Sequence, residues 1–289
     1  MARHGYIRYW ALLLFLFCGT IPRSLAQIVA NFDPNDELFR QEVKLIDEFI
    51  ERFNDDSTTD LSRFYSRDKE GFHISRNVML ISVFNLQDNS LTQGNDDLKE
   101  FFTTVLDKAH PVYLAFNDSD WYAEADALFL DNGKMVAIPI ILHVVSQDDW
   151  AKWMIAGVGS PRPVKQPPPA INIKRSKAPP QSFISTSAHV TNFSEFHSLL
   201  TENMQPENYF EPRAAASPAG ARFIAGIKKG QIRFQYVKEL SFHFYHVHGF
   251  VFSVQNYTRK TFNSGWLIGG IHKVSAVEKT AAKNKLLNY

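Results

Sequence analysis

The sequence contains a single cysteine, Cys18, which lies close to the N-terminus. The rest of the chain therefore cannot form a disulfide, supply a thiol nucleophile or hold a metal through thiolates. The formal net charge is only +1 over 289 residues, so composition gives no electrostatic reason to expect nucleic-acid binding. The sequence also lacks a glycine-rich phosphate loop, a serine nucleophile elbow and a His-Glu-x-x-His zinc motif. These absences exclude several common enzyme classes, and we expect neither a cofactor nor a metal.

The N-terminus predicts a secretory signal peptide. Basic residues precede the apolar run WALLLFLFCGTI, and the small-residue segment SLAQ follows it, which is the order of a signal peptide cleaved after Ala26. The run is shorter than the roughly 20 residues of a membrane span, which favours cleavage over an uncleaved anchor. Bulky Phe17 argues against lipid modification of Cys18. We therefore expect an exported protein, periplasmic or extracellular, and a mature chain without cysteine is typical of bacterial envelope proteins.

A proline-rich stretch divides the remaining chain into two segments. Residues 157–182 read GVGSPRPVKQPPPAINIKRSKAPPQS and hold half of the chain's 14 prolines, several Lys and Arg, and no acid. This composition is typical of a solvated, semi-rigid linker. The predicted division is a signal peptide at 1–26, a first domain at 27–157, a linker at 158–182, a second, smaller domain at 183–275 and a polar tail at 276–289.

Hydrophobic periodicity predicts that helices precede strands in the first segment. Val43, Ile46, Ile50 and Phe53 recur at helical spacing, with Asp36 as the N-cap. Two further short helices are predicted over 75–86 and from 95 onward. Strands are predicted over 111–116, 121–130, 134–146 and 150–158, with a hairpin turn at 131–133.

The second segment repeats this plan, with a helix predicted over 192–204 and strands over 230–237, 240–247, 250–257 and 265–274. WMIAGV, from Trp153, matches WLIGGI, from Trp266, as expected for an internal repeat. Aligning the hairpins places His248 at the first turn position, where histidine tolerates a positive φ. The His-x-His pair of His246 and His248 then loses the geometry of a metal site.

Helices followed by a curved antiparallel sheet are the order of an α+β domain. With VKLIDEFIERFN as a first helix and YAEADALFLDNGKMVAIPIILHVV as a long hairpin, the first segment resembles the nuclear-transport-factor-2-like superfamily, also called SnoaL-like or cystatin-like cones. The second segment resembles it more loosely. The resemblance implies two small domains, each with N-terminal helices packed on a curved antiparallel sheet, that can pack together as an intramolecular pseudo-dimer. The superfamily contains isomerase-like and dehydratase-like enzymes, ligand binders and assembly domains, so fold alone does not select a function.

Two acids, Glu124 and Asp126, are the leading catalytic candidates because they share a strand face with Tyr122. A cone enzyme needs an acid or base inside an apolar cavity. The opposite face of this strand carries a smooth row of Trp, Ala and Phe, which predicts instead that the acids face water. Asp118 and Asp120 are interpreted as turn residues rather than calcium ligands.

Three functions stay open at this point. The first is an exported, non-enzymatic binding or assembly module of the envelope that contacts a protein partner through exposed aromatics. The second is a small-molecule binder, or an isomerase or dehydratase using an acid of the first domain. The third is binding of an acidic partner by the basic linker, which salt would weaken. We expect no nucleic acid, and contact with a membrane only by association. The predicted ligand or partner face comprises His243, Tyr245, His246, Trp150, Trp153 and Trp266.

Overall fold

The computed structural model describes residues 42–55, 75–88, 91, 96–147, 150–164, 182–202, 205–260 and 262–288. The predicted signal peptide, the predicted cap Asp36 and most of the predicted linker lie outside these residues. The first segment contains the helices α1 (Ile46–Asn54), α2 (Arg76–Ser82) and α3 (Asp96–Val105) and the strands β1 (Trp121–Asp131), β2 (Lys134–Gln147), β3 (Trp150–Val158) and β4 (Arg162–Pro163).

The second segment begins with short helical turns rather than the single predicted helix. These are 3₁₀ turns at Thr186–Thr191 and Pro206–Tyr209 and a π-helical turn at Ser198–Glu202. They are followed by α4 (Pro212–Ala216), α5 (Pro218–Lys228), β5 (Ile232–Phe244), β6 (Phe250–Tyr257), β7 (Gly265–Lys273) and α6 (Ala276–Leu287). The protein is therefore α+β, as the sequence predicts.

Strands from both segments form one antiparallel sheet, in the order β3-β2-β1-β5-β6-β7, with β4 beside β2. Its centre is the pair β1 and β5, which runs from Trp121 opposite Phe244 to Asp131 opposite Ile232. One hydrophobic core, from Val43 to Ile271, lies against this sheet. The prediction of two domains, one on each side of the linker, is thus not confirmed, since the sheet continues from one segment into the other.

Helices of each segment pack on strands of the other segment. In the first segment, Phe53 of α1 stacks on Phe252 of β6 with ring centroids 6.0 Å apart, and Phe101 of α3 contacts Phe250 at 5.4 Å. In the second segment, Phe223 of α5 contacts Phe129 of β1 at 5.2 Å. The two segments therefore interlock, and each half of the sheet obtains much of its apolar cover from the other half of the chain.

Single backbone bridges cover both outer strands, and each bridge joins a residue of one segment to a residue of the other. On β7, Val43 pairs with Gly265 and Phe84 pairs with Ile268, so the first segment covers the edge of the second. On β3, Ile184 pairs with Trp153 and Phe210 with Ile155, so the second segment covers the edge of the first. Covered edges leave fewer unpaired backbone groups open to another chain.

A buried asparagine, Asn263, fastens the second segment to the end of α2. Its Nδ2 donates to the carbonyls of Phe84 (2.7 Å) and Ser82 (3.2 Å), and its Oδ1 accepts from the amide of Leu86 (2.9 Å). Its backbone is left-handed, with φ 56°, a conformation that asparagine tolerates better than most residues. One side chain thus satisfies three backbone groups about 180 positions away in the sequence.

Two predicted strands differ in the structure. Residues 111–116 are not a strand, because the backbone of Leu114 pairs with the side chain of Asn54 through two hydrogen bonds (2.8 and 2.7 Å). The strands predicted over 230–237 and 240–247 are one strand, β5, which absorbs the break as bulges at Gln235 and Lys238. Helices α4 and α5, which lie between the helix predicted over 192–204 and strand β5, were not predicted.

The two hairpin turns differ in their backbone. At the first, where a hairpin turn was predicted, Asn132 and Gly133 both have positive φ, 48° and 83°, as a type I′ turn requires. At the second, the amide of Phe250 donates to the carbonyl of Val247 at 3.1 Å, and only Gly249 is left-handed, with φ 74°. His248 is in the turn, but its predicted positive φ is wrong, since a type II turn requires positive φ only at the following residue.

The predicted polar tail is a helix, α6, that packs on the second face of the sheet. A capping box between Ser275 and Glu278 starts it, and Leu287 inserts beside Ile141. Gly157 permits this approach, since a Cβ there would lie 2.8 Å from the carbonyl oxygen of Leu287.

Candidate functional site

The second face of the sheet, opposite the main core, gathers most of the residues that the sequence singled out. Tyr122, Glu124 and Asp126 project from β1 on this face, and His243 projects from β5 beside them. The apolar row on the other face is buried, as predicted: Ala123, Ala125, Ala127 and Phe129 have no exposed surface, and Trp121 is 1% exposed.

Glu124 is hydrogen-bonded to His243 across the two central strands. Nε2 of His243 lies 2.8 Å from Oε2 of Glu124, and Ser241 Oγ lies 3.4 Å from the same nitrogen. A nucleophilic triad needs histidine to contact the hydroxyl and the acid through different nitrogens, so these three residues do not form one. The hydrogen bond with His243 holds the pKa of Glu124 below its usual value, against the effect of burial. Glu124 is therefore ionised near neutral pH and is a weak general base.

Asp126 has separate partners. Its Oδ1 accepts a hydrogen bond from Arg162 of β4 at 2.6 Å, and Lys238 lies 4.0 Å from its Oδ2. The two acids thus each pair with their own cation or imidazole and do not share a proton, as a catalytic dyad would. Their side chains are only partly exposed, 30% for Glu124 and 17% for Asp126, so the expectation that both point fully into water is only partly met.

Tyr122 and Tyr245 lie beneath α6. Both are buried with Ile141, Ala156 and Leu287, and burial raises the pKa of Tyr245 to about 12. The helix is held by two lysines: Lys279 donates to the carbonyls of Tyr245 (2.8 Å) and Val247 (2.6 Å), and Lys283 donates to Asp120 (2.9 Å). The tyrosines therefore remain protonated and contribute to the attachment of α6.

Three residues of the predicted partner face belong to the interior. Trp153 has no exposed surface, and its indole N–H donates to the carbonyl of Thr186 at 3.1 Å. Trp266 packs against Phe242, and Tyr245 lies under α6, with 8% and 5% exposure. Their burial contradicts the assignment of these three aromatics to an exposed surface patch, because other elements cover them.

The other three residues of that face keep some exposed surface, but each one contacts a different neighbour rather than the other two. Trp150 is 46% exposed, with the ammonium of Lys152 5.1 Å from its ring centre. His246 is bound to Asp118, with Nδ1 2.6 Å from Oδ2, and His243 is held by Glu124. Asp118 also accepts from the amide of Asp120 at 3.0 Å, which is the turn role predicted for it. In the described part of the chain, no group of three or more His, Cys, Asp or Glu side chains could hold a metal ion.

A cleft that was not predicted opens where the two segments meet. Its volume is about 480 Å³, and both segments line it. The floor is apolar, with the buried side chains of Ile138, Val158 and Phe223 and the partly buried Ile232, and the rim includes Asp131 and Arg222. Ligand pockets of proteins have about this size and this combination of apolar walls with a few polar groups.

The cleft exists because α5 packs over the first hairpin. Ser217 starts the helix by accepting a hydrogen bond from the amide of Gly220 at 3.0 Å, and Pro218 occupies the first turn, where its missing N–H costs nothing. Phe223 then inserts beside Phe129. Ser217-Pro218 followed by the apolar spacing of Phe223 and Ile227 was the available sequence signal for this helix.

A second, smaller cleft of about 360 Å³ lies where β5 and β6 separate. The ladder between these strands ends at Ser241 opposite Gln255, and beyond it Lys238, Glu239 and Thr258 line a mostly polar gap. Charged side chains and the bulge at Lys238 are common ways to protect a strand edge, so this gap needs no ligand to account for it.

Comparisons with protein-family models, with curated proteins and with solved structures find no match to this chain. Among the described residues, no helix combines the length and the apolar character needed to cross a membrane. The case for function therefore depends on the sites themselves.

Proposed function

We propose that this protein is an exported, non-enzymatic binding module and that its ligand is a small molecule held in the cleft between the two segments. The observation that carries the proposal is the cleft itself: about 480 Å³, with an apolar floor and a polar rim contributed by both segments. Export rests on the N-terminal sequence, which has the order of a cleaved signal peptide.

The partners of the candidate acids support binding over catalysis. Glu124 and Asp126 are engaged by His243 and Arg162, and neither residue lines the cleft. An isomerase or dehydratase would need such an acid beside its substrate, in a site that tunes its pKa. The described lining instead offers Asp131 on the rim, without an imidazole or hydroxyl nucleophile paired to it.

The resemblance to the nuclear-transport-factor-2-like superfamily remains a proposal. It is supported by the order of helices followed by a three-stranded antiparallel meander, which occurs in both segments. Within that proposal, the exchange of helices corresponds to a pseudo-dimer formed inside one chain. An envelope protein partner also remains a proposal, and the residues left to contact it are the exposed Trp150 and His246.

Thermal unfolding of residues 27–289 with a panel of neutral, cationic and anionic small molecules tests the proposal. A ligand that binds only the folded state stabilises it by about 2.7 kcal/mol at a hundredfold excess over Kd, which raises the melting temperature by a few degrees. Ala219→Trp, which fills the cleft, should abolish the shift, whereas Ala216→Trp, on exposed α4 outside the cleft, should preserve it. A panel without any stabilising member, or an undiminished shift in Ala219→Trp, would refute the proposal.

A further inference from the structure

We infer that the cleft selects carboxylates that carry an apolar body and that Arg222 is the residue that binds the carboxylate. This inference rests on the proposed function, because it names the class of ligand for the same cleft. It goes beyond that proposal in assigning charge selectivity to one side chain.

The charge of Arg222 is not used inside the described structure. It is the one cation among the described residues that line the cleft, and no hydrogen bond or ion pair joins it to another described residue. Several other arginines are engaged: Arg52 pairs with Glu48, Arg162 with Asp126, and Arg259 donates to the carbonyl of Asn263. A guanidinium presents a planar fork of donors that fits a carboxylate in a bidentate arrangement. Arg222 is thus available to bind an anion that enters the cleft.

The apolar part of the lining near Arg222 selects for an apolar body. Four apolar residues of the lining keep surface that a ligand can cover: Pro161 and Pro218 are exposed, and Ala219 and Ile232 are partly buried. Covering the parts of these side chains that face the cleft removes apolar surface from water, which is favourable by about 25 cal/mol per Å². A small inorganic anion could contact Arg222 but would leave this apolar surface uncovered. The combination therefore favours an amphipathic carboxylate over phosphate or sulfate.

Asp131 gives the cleft a direction. It is the one acid among the described lining residues, and its Oδ1 accepts a hydrogen bond from Nδ2 of Asn132 at 2.9 Å. A carboxylate is attracted by Arg222 and repelled by Asp131, so the ligand's anionic end should lie toward α5. Removing the charge of Asp131 should consequently strengthen carboxylate binding, whereas removing that of Arg222 should weaken it.

Isothermal titration of residues 27–289 with matched acids and amides tests this inference. The probes are decanoate and 4-phenylbutyrate, each paired with its primary amide, in buffer of about 0.15 M ionic strength, so that weak surface attraction is screened. We expect each acid to bind at least tenfold more tightly than its amide. Arg222→Gln should remove that difference, Arg222→Lys should retain part of it, and Asp131→Asn should tighten binding of the acids severalfold. Arg233→Gln is the matched control, since Arg233 is an exposed arginine of β5 that does not line the cleft.

The outcomes separate this inference from the proposed function. Equal affinity for acids and amides, with both lost in Ala219→Trp, would overturn the role of Arg222 and leave a neutral binding cleft. Acid binding that persists in Ala219→Trp or falls equally in Arg233→Gln would place the anion on the general surface and overturn the inference. Absence of binding by acids and amides alike, together with a thermal-shift panel that also fails, would overturn both.

Discussion

Replacing Asn263 should be among the most damaging single changes in the described structure. Its side chain makes three hydrogen bonds that join the two segments, and it is 2% exposed. At about 1 kcal/mol for each bond, truncation should cost about 3 kcal/mol. Alanine also fits the left-handed backbone poorly, at a further cost of about 1 kcal/mol. Glycine adopts that backbone without this cost. We therefore expect Asn263→Ala to cost about 4 kcal/mol and Asn263→Gly about 3 kcal/mol.

Guanidinium chloride unfolding followed by tryptophan fluorescence measures both losses, because Trp121 and Trp153 are buried in the core. The control is Asn256→Ala, an exposed asparagine of β6 that should change the free energy of unfolding by less than about 0.5 kcal/mol. A loss below about 1 kcal/mol for Asn263→Ala would mean that the buried backbone groups find other partners and that Asn263 does not hold the segments together. A smaller loss of unfolding free energy for Asn263→Ala than for Asn263→Gly would contradict the cost assigned to the left-handed backbone.

Two further perturbations test the second face of the sheet. Gly157→Ala places a Cβ 2.8 Å from the carbonyl oxygen of Leu287 and should cost about 1–3 kcal/mol of stability by overpacking. Amide hydrogen exchange of α6 should accelerate in this variant but not in the control Val277→Ala, since Val277 is 79% exposed on the same helix. Unaltered exchange protection in Gly157→Ala would contradict the packing of α6 on β3. Glu124→Gln should lower the free energy of unfolding by up to about 1 kcal/mol near pH 7. Because the pKa of Glu124 is lowered in the folded state, its ionised form stabilises the fold above the unfolded pKa, and this contribution is lost as the pH falls through the folded pKa. Urea unfolding at a series of pH values below 7 should therefore show the difference shrink as Glu124 becomes protonated. A difference that does not change with pH, or an equal effect of Glu239→Gln, would contradict this.

Local patterns in the sequence were sufficient for most of the strands. The alternation of β2, β3, β6 and β7 and the Asn132-Gly133 turn lie in short stretches, and the structure places their ends within a residue or two of the prediction. The orientation of Glu124 away from the core followed from the same alternation. These features depend on neighbours within one strand or hairpin, which a single sequence displays.

The interlocking of the segments was not predictable in this way. An apolar stripe such as that of α1 shows that a helix packs on a sheet, but it does not show which strands receive it. The sequence around Phe53 therefore does not indicate that this residue contacts Phe252 rather than a strand of its own segment. The pairing of β1 with β5 is equally non-local, and so are the partners of Glu124, Asp126 and Asn263.

Aromatic content was taken for exposure, and for three of the six residues of the predicted partner face that exposure is wrong. Trp153 and Trp266 lie on strand faces that other elements cover, so their presence in aromatic-rich stretches did not indicate a surface patch. The cleft was missed because its walls come from α5, the first hairpin and the end of β3. No stretch of sequence contains more than a part of it.

The two segments form one interlocked unit with the cleft at their junction. The most direct test inserts a specific protease site between Ala170 and Ile171, cleaves the folded protein there and follows it by size-exclusion chromatography and thermal unfolding. We expect the cleaved halves to elute together at the size of the uncut protein and to unfold in one transition. Separation into two halves that each unfold cooperatively on their own would contradict it.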